Sequence, residues 1–139
     1  EYYLDFTPGQ GVLVEALDKE RMALAEAYGL KIRTLIDEYK NVYVTKGNNM
    51  YEVITNCEGY HGIKGQKTLR TRYLLEDIPY SLVALQSMGK VASVSTPCID
   101  AVVTIARSMI PDMDEGRTLK NLGLEGVSKE EFERMCREG

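Results

Sequence analysis

The sequence of 139 residues has no tryptophan, only one histidine, His61, and few cysteines. Its three cysteines, Cys57, Cys98 and Cys136, include no C-x-x-C pair, and an odd number cannot all pair within one chain. This pattern favours a reducing compartment over a disulfide-stabilised secreted domain. The spacing of the cysteines and His61 also matches no zinc site, so no metal is predicted.

Long apolar runs and an excess of basic charge are absent as well. No stretch approaches the roughly 18 apolar residues of a membrane-spanning helix, and no basic segment followed by an apolar one opens the chain. The formal net charge of -4 gives no general attraction to phosphate backbones. We therefore expect a cytoplasmic protein that binds neither membrane nor nucleic acid.

The composition is that of an ordinary globular protein, with 44% hydrophobic and 27% charged residues. A chain of this length buries about 68% of the surface that its unfolded form exposes, so it needs no disulfide or metal to fold. No repeat or low-complexity linker divides it. The sequence predicts a single domain over residues 1–139.

Helical signals account for most of the chain. Helix-start patterns occur at Thr7-Pro8 with Gln10, at Thr96-Pro97, and at Ser128 with Glu131. Apolar residues at helical spacing predict helices over 7–29, 32–40, 50–54, 68–77, 78–89, 96–110 and 128–136. Residues 41–45 and 91–94 are weak extended candidates, and the predicted fold class is all-α.

Several polar features have an ordinary structural explanation. His61 is the obvious general acid or base, but a lone histidine in a loop is more often a solvated side chain. Gly59, Gly62 and Gly65 match neither G-x-G-x-x-G nor a Walker pattern, and an ordered turn is the simpler interpretation. The charged run 18–21 is predicted to be the solvent face of the first helix.

The segment 72–83 carries the strongest functional signal. Arg72 and Glu76 have the i,i+4 spacing of a surface ion pair. Alternatively, Arg72 offers a planar fork to a substrate carboxylate. Asp77 comes just before the helix that Pro79 opens, where the helix dipole would keep it ionised. Spacing alone leaves both interpretations of Arg72 open.

The sequence from Arg72 to Tyr80, followed by Leu82-Val83, resembles a motif of the opine dehydrogenases, the octopine and nopaline dehydrogenase family. Further matches follow in the family's order at 16–21, 28–30, 96–97, 116–119 and 122–124. The resemblance is to the C-terminal helical domain of that family. It implies a helical bundle like the C-terminal domain of 6-phosphogluconate-dehydrogenase-like oxidoreductases.

The resemblance also implies a function. Family members join an α-amino acid to a 2-oxo acid and reduce the resulting imine with a hydride from NAD or NADP in its reduced form. Arg72 would bind the carboxylate of the oxo acid, and Asp77 would orient a catalytic histidine that this sequence does not contain. The cofactor would be bound mainly by an N-terminal Rossmann domain, also absent from this sequence, and no cofactor-binding residue is predicted here.

We therefore expect the isolated chain to be inactive and to function with its own Rossmann domain, with a homodimer as a further possibility. Two alternatives remain open from the sequence. The first alternative is a non-catalytic helical binding or dimerisation module. The second is part of a related dehydrogenase that reduces a 2-oxo acid without an amino acid.

Overall fold

The computed structural model describes the backbone of residues 1–139 and the side chains of residue 1 and residues 4–139. The helices are α1 (Tyr2–Asp5), α2 (Pro8–Ala27), α3 (Leu35–Tyr43), α4 (Met50–Thr55), α5 (Arg72–Leu75), α6 (Val83–Ala92), α7 (Pro97–Met109) and α8 (Lys129–Glu138). A 3-10 turn spans Glu58–Tyr60 and a π-helical turn spans Ile78–Leu82. The backbone of residues 1–139 contains no strand, which confirms the predicted all-α class.

Helix α2 is the central element and packs against α4, α6 and α7. Its start is the predicted capping box: the Gln10 backbone N–H donates to Thr7 Oγ1 at 3.2 Å, and the Thr7 N–H donates to Gln10 Oε1 at 2.7 Å. It ends where predicted, before Gly29, which adopts a φ of +67°. Local sequence therefore sets both ends of this helix.

The main core cluster joins α7 to the π-helical turn and α6. Ile78 and Val83 pack against Ile99, Val103 and Ala106 of α7, and all five side chains are buried. At about 25 cal/mol per Å² of apolar surface, such buried aliphatic side chains contribute on the order of 2 kcal/mol each to folding. The segment with the strongest functional signal thus rests on the core of the domain.

The prediction of weakly extended structure at residues 41–45 and 91–94 was wrong. Residues 41–43 continue α3, which ends where Val44 turns left-handed with a φ of +53°. Residues 91–92 likewise complete α6 before Ser93, whose φ is +57°. The start of α3 also differs from the prediction, because Thr34 caps the helix by accepting the Asp37 N–H at 3.1 Å.

The charged run 18–21 is not the solvent face that the sequence predicted. Asp18 is buried and accepts hydrogen bonds from Arg21 Nε and from the Leu35 backbone N–H, both at 2.8 Å. Arg21 Nη2 in turn donates to the Arg33 carbonyl at 2.7 Å. These bonds fix the irregular segment between α2 and α3, and only Lys19 of the run is exposed.

Glu20 of the same run caps α7. Its carboxylate accepts the backbone N–H of Cys98 at 2.6 Å and that of Ile99 at 2.9 Å. The Thr96 side chain, predicted to be the cap, instead donates to Asp100 Oδ1 at 3.1 Å and accepts no backbone N–H of the helix. A carboxylate at a helix N-terminus also complements the helix dipole, so Glu20 links α2 to α7.

None of the helices in the described part of the chain has the length and hydropathy that a membrane-spanning segment requires.

Candidate functional site

The candidate site lies on the helical path from α5 through the π-helical turn to α6. A new element does begin at Ile78, as Pro79 predicted, but no free helix N-terminus forms there. Asp77 has helical angles, with φ of −69° and ψ of −34°, and lies between α5 and the π-helical turn. The predicted effect of a helix dipole on Asp77 therefore lacks its structural basis.

The unusual turn is a change of acceptor. The Val83 N–H bonds to the Ile78 carbonyl, five residues back, while the Pro79 carbonyl, four residues back, accepts the Arg117 N–H at 3.0 Å. Pro79 itself has no backbone N–H to donate. Such a π-helical turn is wider than an α-helical one. A turn of this kind bends the helical path between α5 and α6.

Arg72 and Glu76 form the surface pair predicted from their spacing. Arg72 Nε lies 3.5 Å from Glu76 Oε2, and the two side chains are 76% and 56% exposed. Such a pair contributes about 0.3–0.5 kcal/mol at most. The guanidinium of Arg72 therefore remains open to an anion from outside the chain.

Asp77 is also exposed. The side chains described for residue 1 and residues 4–139 provide it with no hydrogen bond or ion pair. Its carboxylate is thus free to accept a hydrogen bond from a group outside this chain. The structure places Arg72 and Asp77 on one short exposed segment without joining them to each other.

The loop after α7 holds this segment in place. The Arg117 N–H donates to the Pro79 carbonyl at 3.0 Å, and Arg117 Nη1 donates to the Tyr80 carbonyl at 3.2 Å. The buried Ser87 hydroxyl of α6 donates to the Arg117 carbonyl at 2.8 Å. These contacts tie the π-helical turn and α6 to a single residue of the loop.

Gly116 allows that approach. Its φ is +70°, and a Cβ built on it would lie 2.0 Å from the Pro79 carbonyl oxygen. No side chain fits there. The sequence identified 116–119 only as a shared motif, and its contact with Pro79 was missed because a glycine followed by arginine carries no signal of its distant partner.

Charged groups surround the segment. Arg70 forms an ion pair with Asp112 in the loop after α7. The hydrogen bond between the two side chains lowers the pKa of the Asp112 carboxyl and raises the pKa of Arg70. The charge of Asp114 raises the pKa of Tyr80. The segment thus lies between positive and negative groups on an open surface.

The other sequence candidates lie elsewhere. His61 follows the 3-10 turn, where its backbone N–H donates to the Glu58 carbonyl at 3.1 Å. Of the three loop glycines, only Gly62 has a positive φ, +78°. Within the described side chains, no group of three or more His, Cys, Asp or Glu residues is placed to hold a metal ion.

A family model described as NAD/NADP octopine/nopaline dehydrogenase, alpha-helical domain, matches residues 1–110. The chain belongs to this family. The resemblance drawn from its motifs is therefore confirmed. The matched residues include Arg72 and Asp77, whereas the loop of Gly116 and Arg117 lies beyond them.

Two curated relatives are longer than this chain. An opine dehydrogenase of Arthrobacter sp. (strain 1C) is 41% identical over 132 residues, covering 92% of this chain and 36% of the relative. Vitopine synthase of Allorhizobium ampelinum is 28% identical over 130 residues, with the same coverage. The chain spans about a third of the length of these relatives.

Solved structures give the same fold. Octopine dehydrogenase with NADH and L-arginine superposes with a TM-score of 0.70 and 21% identity, covering 78% of this chain and 32% of that one. Octopine dehydrogenase with NADH and pyruvate gives a TM-score of 0.64 at the same identity, covering 78% of this chain and 30% of that one. This family member therefore has the helical-domain fold of octopine dehydrogenase.

Proposed function

We propose that this chain is the substrate-side domain of an NAD(P)-dependent opine dehydrogenase, which reduces the imine of an α-amino acid and a 2-oxo acid. The exposed guanidinium of Arg72 is the observation that carries the proposal. The family membership supports it, as do relatives named opine dehydrogenase and vitopine synthase. Octopine dehydrogenase has been solved with NADH together with L-arginine or pyruvate, which are an amino acid and a 2-oxo acid.

Arg72 would bind the carboxylate of the 2-oxo acid. Its guanidinium presents parallel N–H donors that match a carboxylate in a bidentate arrangement, which a lysine ammonium cannot reproduce. The contact with Glu76, at 3.5 Å, is weak enough to be exchanged for a substrate. The bound oxo acid would then lie beside the exposed segment.

Asp77 would act as the positioning residue for a histidine supplied by the rest of the protein. A carboxylate that accepts the Nδ1–H of an imidazole fixes its tautomer and stabilises its protonated form. That imidazole could then exchange a proton with the substrate. The free, exposed carboxylate of Asp77 supports this role.

The reduced nicotinamide cofactor would supply the hydride that adds to the imine carbon. The described backbone of this chain contains no strand followed by a glycine-rich phosphate loop, so we assign no cofactor-binding residue to it. The cofactor would be held mainly by a Rossmann domain in the remaining part of the protein. The isolated chain is accordingly expected to be inactive.

The first test measures NADH and NADPH oxidation by the full-length protein with pyruvate, with and without a mixture of amino acids. The proposal expects oxidation that requires both substrates. NADH or NADPH oxidation at the same rate with and without amino acids would instead indicate a dehydrogenase of 2-oxo acids. Absence of oxidation would indicate a non-catalytic helical module.

Substitutions then test the two residues. Arg72→Ala is expected to raise the KM for the 2-oxo acid about 10-fold or more, with a smaller effect for Arg72→Lys. The matched control is Arg33→Ala, because Arg33 also forms an exposed pair, with Glu38 at 3.4 Å. Wild-type KM values for all substrates in Arg72→Ala would contradict the proposed role.

Asp77→Asn is expected to lower kcat by about 100-fold or more and to shift the pH profile of kcat, because the amide no longer stabilises a protonated histidine. Adjacent Glu76→Gln serves as the control, since Glu76 forms an exposed surface pair with Arg72. An unchanged pH profile and kcat in Asp77→Asn would refute the positioning role.

A further inference from the structure

A cavity lined by tyrosines lies beside the candidate segment. Its volume is about 530 Å³, within the range of roughly 300–1,000 Å³ typical of small-molecule sites. Tyr39 of α3 and Tyr60 of the 3-10 turn form part of its lining, together with Tyr73 of α5 and Ile63 and Lys64 of the following loop. Three separate elements and one loop therefore converge on it.

Tyr39 and Tyr60 line one wall and pack against Tyr43, which is not part of the lining. Tyr39, Tyr43 and Tyr60 have ring centroids 5.3 to 6.0 Å apart, two of the pairs tilted and the third edge-on. The Tyr60 hydroxyl donates to the Tyr39 hydroxyl at 2.8 Å. Burial and this hydrogen bond raise the pKa of Tyr60, which favours the neutral form of its side chain. Such rings favour an aromatic or aliphatic group in contact with them.

Tyr73 and Ile63 bring further apolar surface to the cavity. Tyr73 is 55% exposed and Ile63 is 47% exposed, although both are large hydrophobic side chains. Lys64 is the charged side chain among the described residues that line the cavity, and none of them is acidic. A cationic side chain would therefore meet a like charge and no carboxylate.

Tyr73 also connects this cavity to the candidate segment, because it directly follows Arg72 on α5. In the proposed reaction the amino acid and the 2-oxo acid become one molecule. If Arg72 binds the carboxylate of the oxo acid, the amino acid must lie within a few bonds of it. The tyrosine cavity is a concave apolar surface whose lining includes Tyr73, the residue that follows Arg72.

We propose that this cavity binds the side chain of the amino-acid substrate and selects aromatic or long aliphatic side chains over small and cationic ones. The inference rests on the proposed function and extends it to a substrate class. Tyr39, Tyr60, Tyr73 and Ile63 provide the apolar contact, and Lys64 disfavours a cationic side chain. The residues are specificity determinants and take no part in the chemical step.

The test measures kcat/KM of the full-length protein for L-alanine, L-valine, L-methionine, L-phenylalanine and L-arginine at a fixed concentration of pyruvate. Phenylalanine and methionine are expected to exceed alanine and arginine by about 10-fold or more, because a hydrophobic pocket discriminates by this factor or more. Equal values for phenylalanine and alanine, or a preference for arginine, would overturn the inference.

Substitutions locate the selectivity. Tyr73→Ala is expected to lower kcat/KM about 10-fold more for phenylalanine than for alanine. Tyr73→Phe should retain the wild-type preference. Ile105→Ala is the matched control, because Ile105 is similarly exposed, at 57%, but lies on α7 outside the cavity. Lys64→Glu should raise kcat/KM for arginine about 10-fold.

The outcomes separate this inference from the proposed function. If Tyr73→Ala reduces activity equally with every amino acid, or if its preference for phenylalanine equals that of Ile105→Ala, the cavity does not select the side chain. Amino-acid-dependent oxidation would nevertheless uphold the proposed function in that case. Absence of any amino-acid-dependent oxidation in the wild type would overturn both.

Discussion

Replacing Gly116 with alanine tests the contact that holds the π-helical turn. The new Cβ would lie 2.0 Å from the Pro79 carbonyl oxygen, 2.4 Å from its carbonyl carbon and 2.6 Å from its Cα. These are backbone atoms of a buried residue and cannot rotate away as a side chain can. The loop must therefore shift, which lengthens the bond from the Arg117 N–H to the Pro79 carbonyl.

The expected cost has two parts. Alanine at the φ of +70° required at Gly116 costs about 1–2 kcal/mol. The steric overlap adds about 1–3 kcal/mol, the usual range for overpacking of a well-packed site. Gly116→Ala should thus reduce the free energy of unfolding by about 2–5 kcal/mol.

Gly123 provides a matched control in the same loop region. Its φ is +69°, and a Cβ built on it meets no atom within 4 Å. Gly123→Ala therefore carries the backbone cost alone, about 1–2 kcal/mol. The difference between the two variants isolates the contact with Pro79.

The assay is urea unfolding of both variants and the wild type, followed by circular dichroism. The midpoint is expected to fall much further for Gly116→Ala than for Gly123→Ala, with the same dependence on urea concentration. Equal midpoints for the two variants would refute the reasoning, because the loop would then tolerate a side chain against Pro79.

Three further predictions concern the remaining polar contacts. Glu20→Ala should reduce the free energy of unfolding by about 1–3 kcal/mol, because it leaves two backbone N–H groups of α7 without acceptors. Lys19→Ala, a change at an exposed residue, should have little effect in the same urea titration. Because the pKa of Asp112 is lowered, its ion pair with Arg70 stabilises the fold above pH about 4, and this contribution is lost as the pH falls further. Asp112→Asn should therefore weaken the dependence of the free energy of unfolding on acid pH. An unchanged dependence would contradict this prediction. Exposed Cys136 should react with a thiol reagent before Cys98, because a hydrogen bond to Glu20 raises the pKa of the Cys98 thiol, and peptide mapping of the labelled protein checks the order.

Local patterns in the sequence predicted much of the helical framework. The pairs Thr7 with Gln10 and Ser128 with Glu131 act over three residues, and both Thr7 and Ser128 cap their helices as predicted. Helix-breaking residues such as Gly29 act through their own backbone angles. These signals need no partner from elsewhere in the chain, which is why periodicity and capping rules found them.

Periodicity and capping rules cannot predict contacts between residues that are far apart in the sequence. Glu20 caps a helix 78 residues away, and Asp18 bonds a backbone group 17 residues away, so a run that looked solvated proved structural. Pro79 indicated a new helical element, but the π-helical turn and its contact with Arg117 became visible only in the structure.

The candidate site shows the same division. Its segment was identified from its charged residues before Pro79, and the ion pair of Arg72 with Glu76 was one of two interpretations of their spacing. The proposed roles of Arg72 and Asp77 come from the family resemblance and remain predictions. The sequence by itself determined the all-α class, several helix ends and the family, because these depend on short-range patterns and ordered motifs. The tertiary structure alone decided which charges are buried, which loop supports Pro79 and which tyrosines share a cavity, because those depend on packing between residues far apart in the chain.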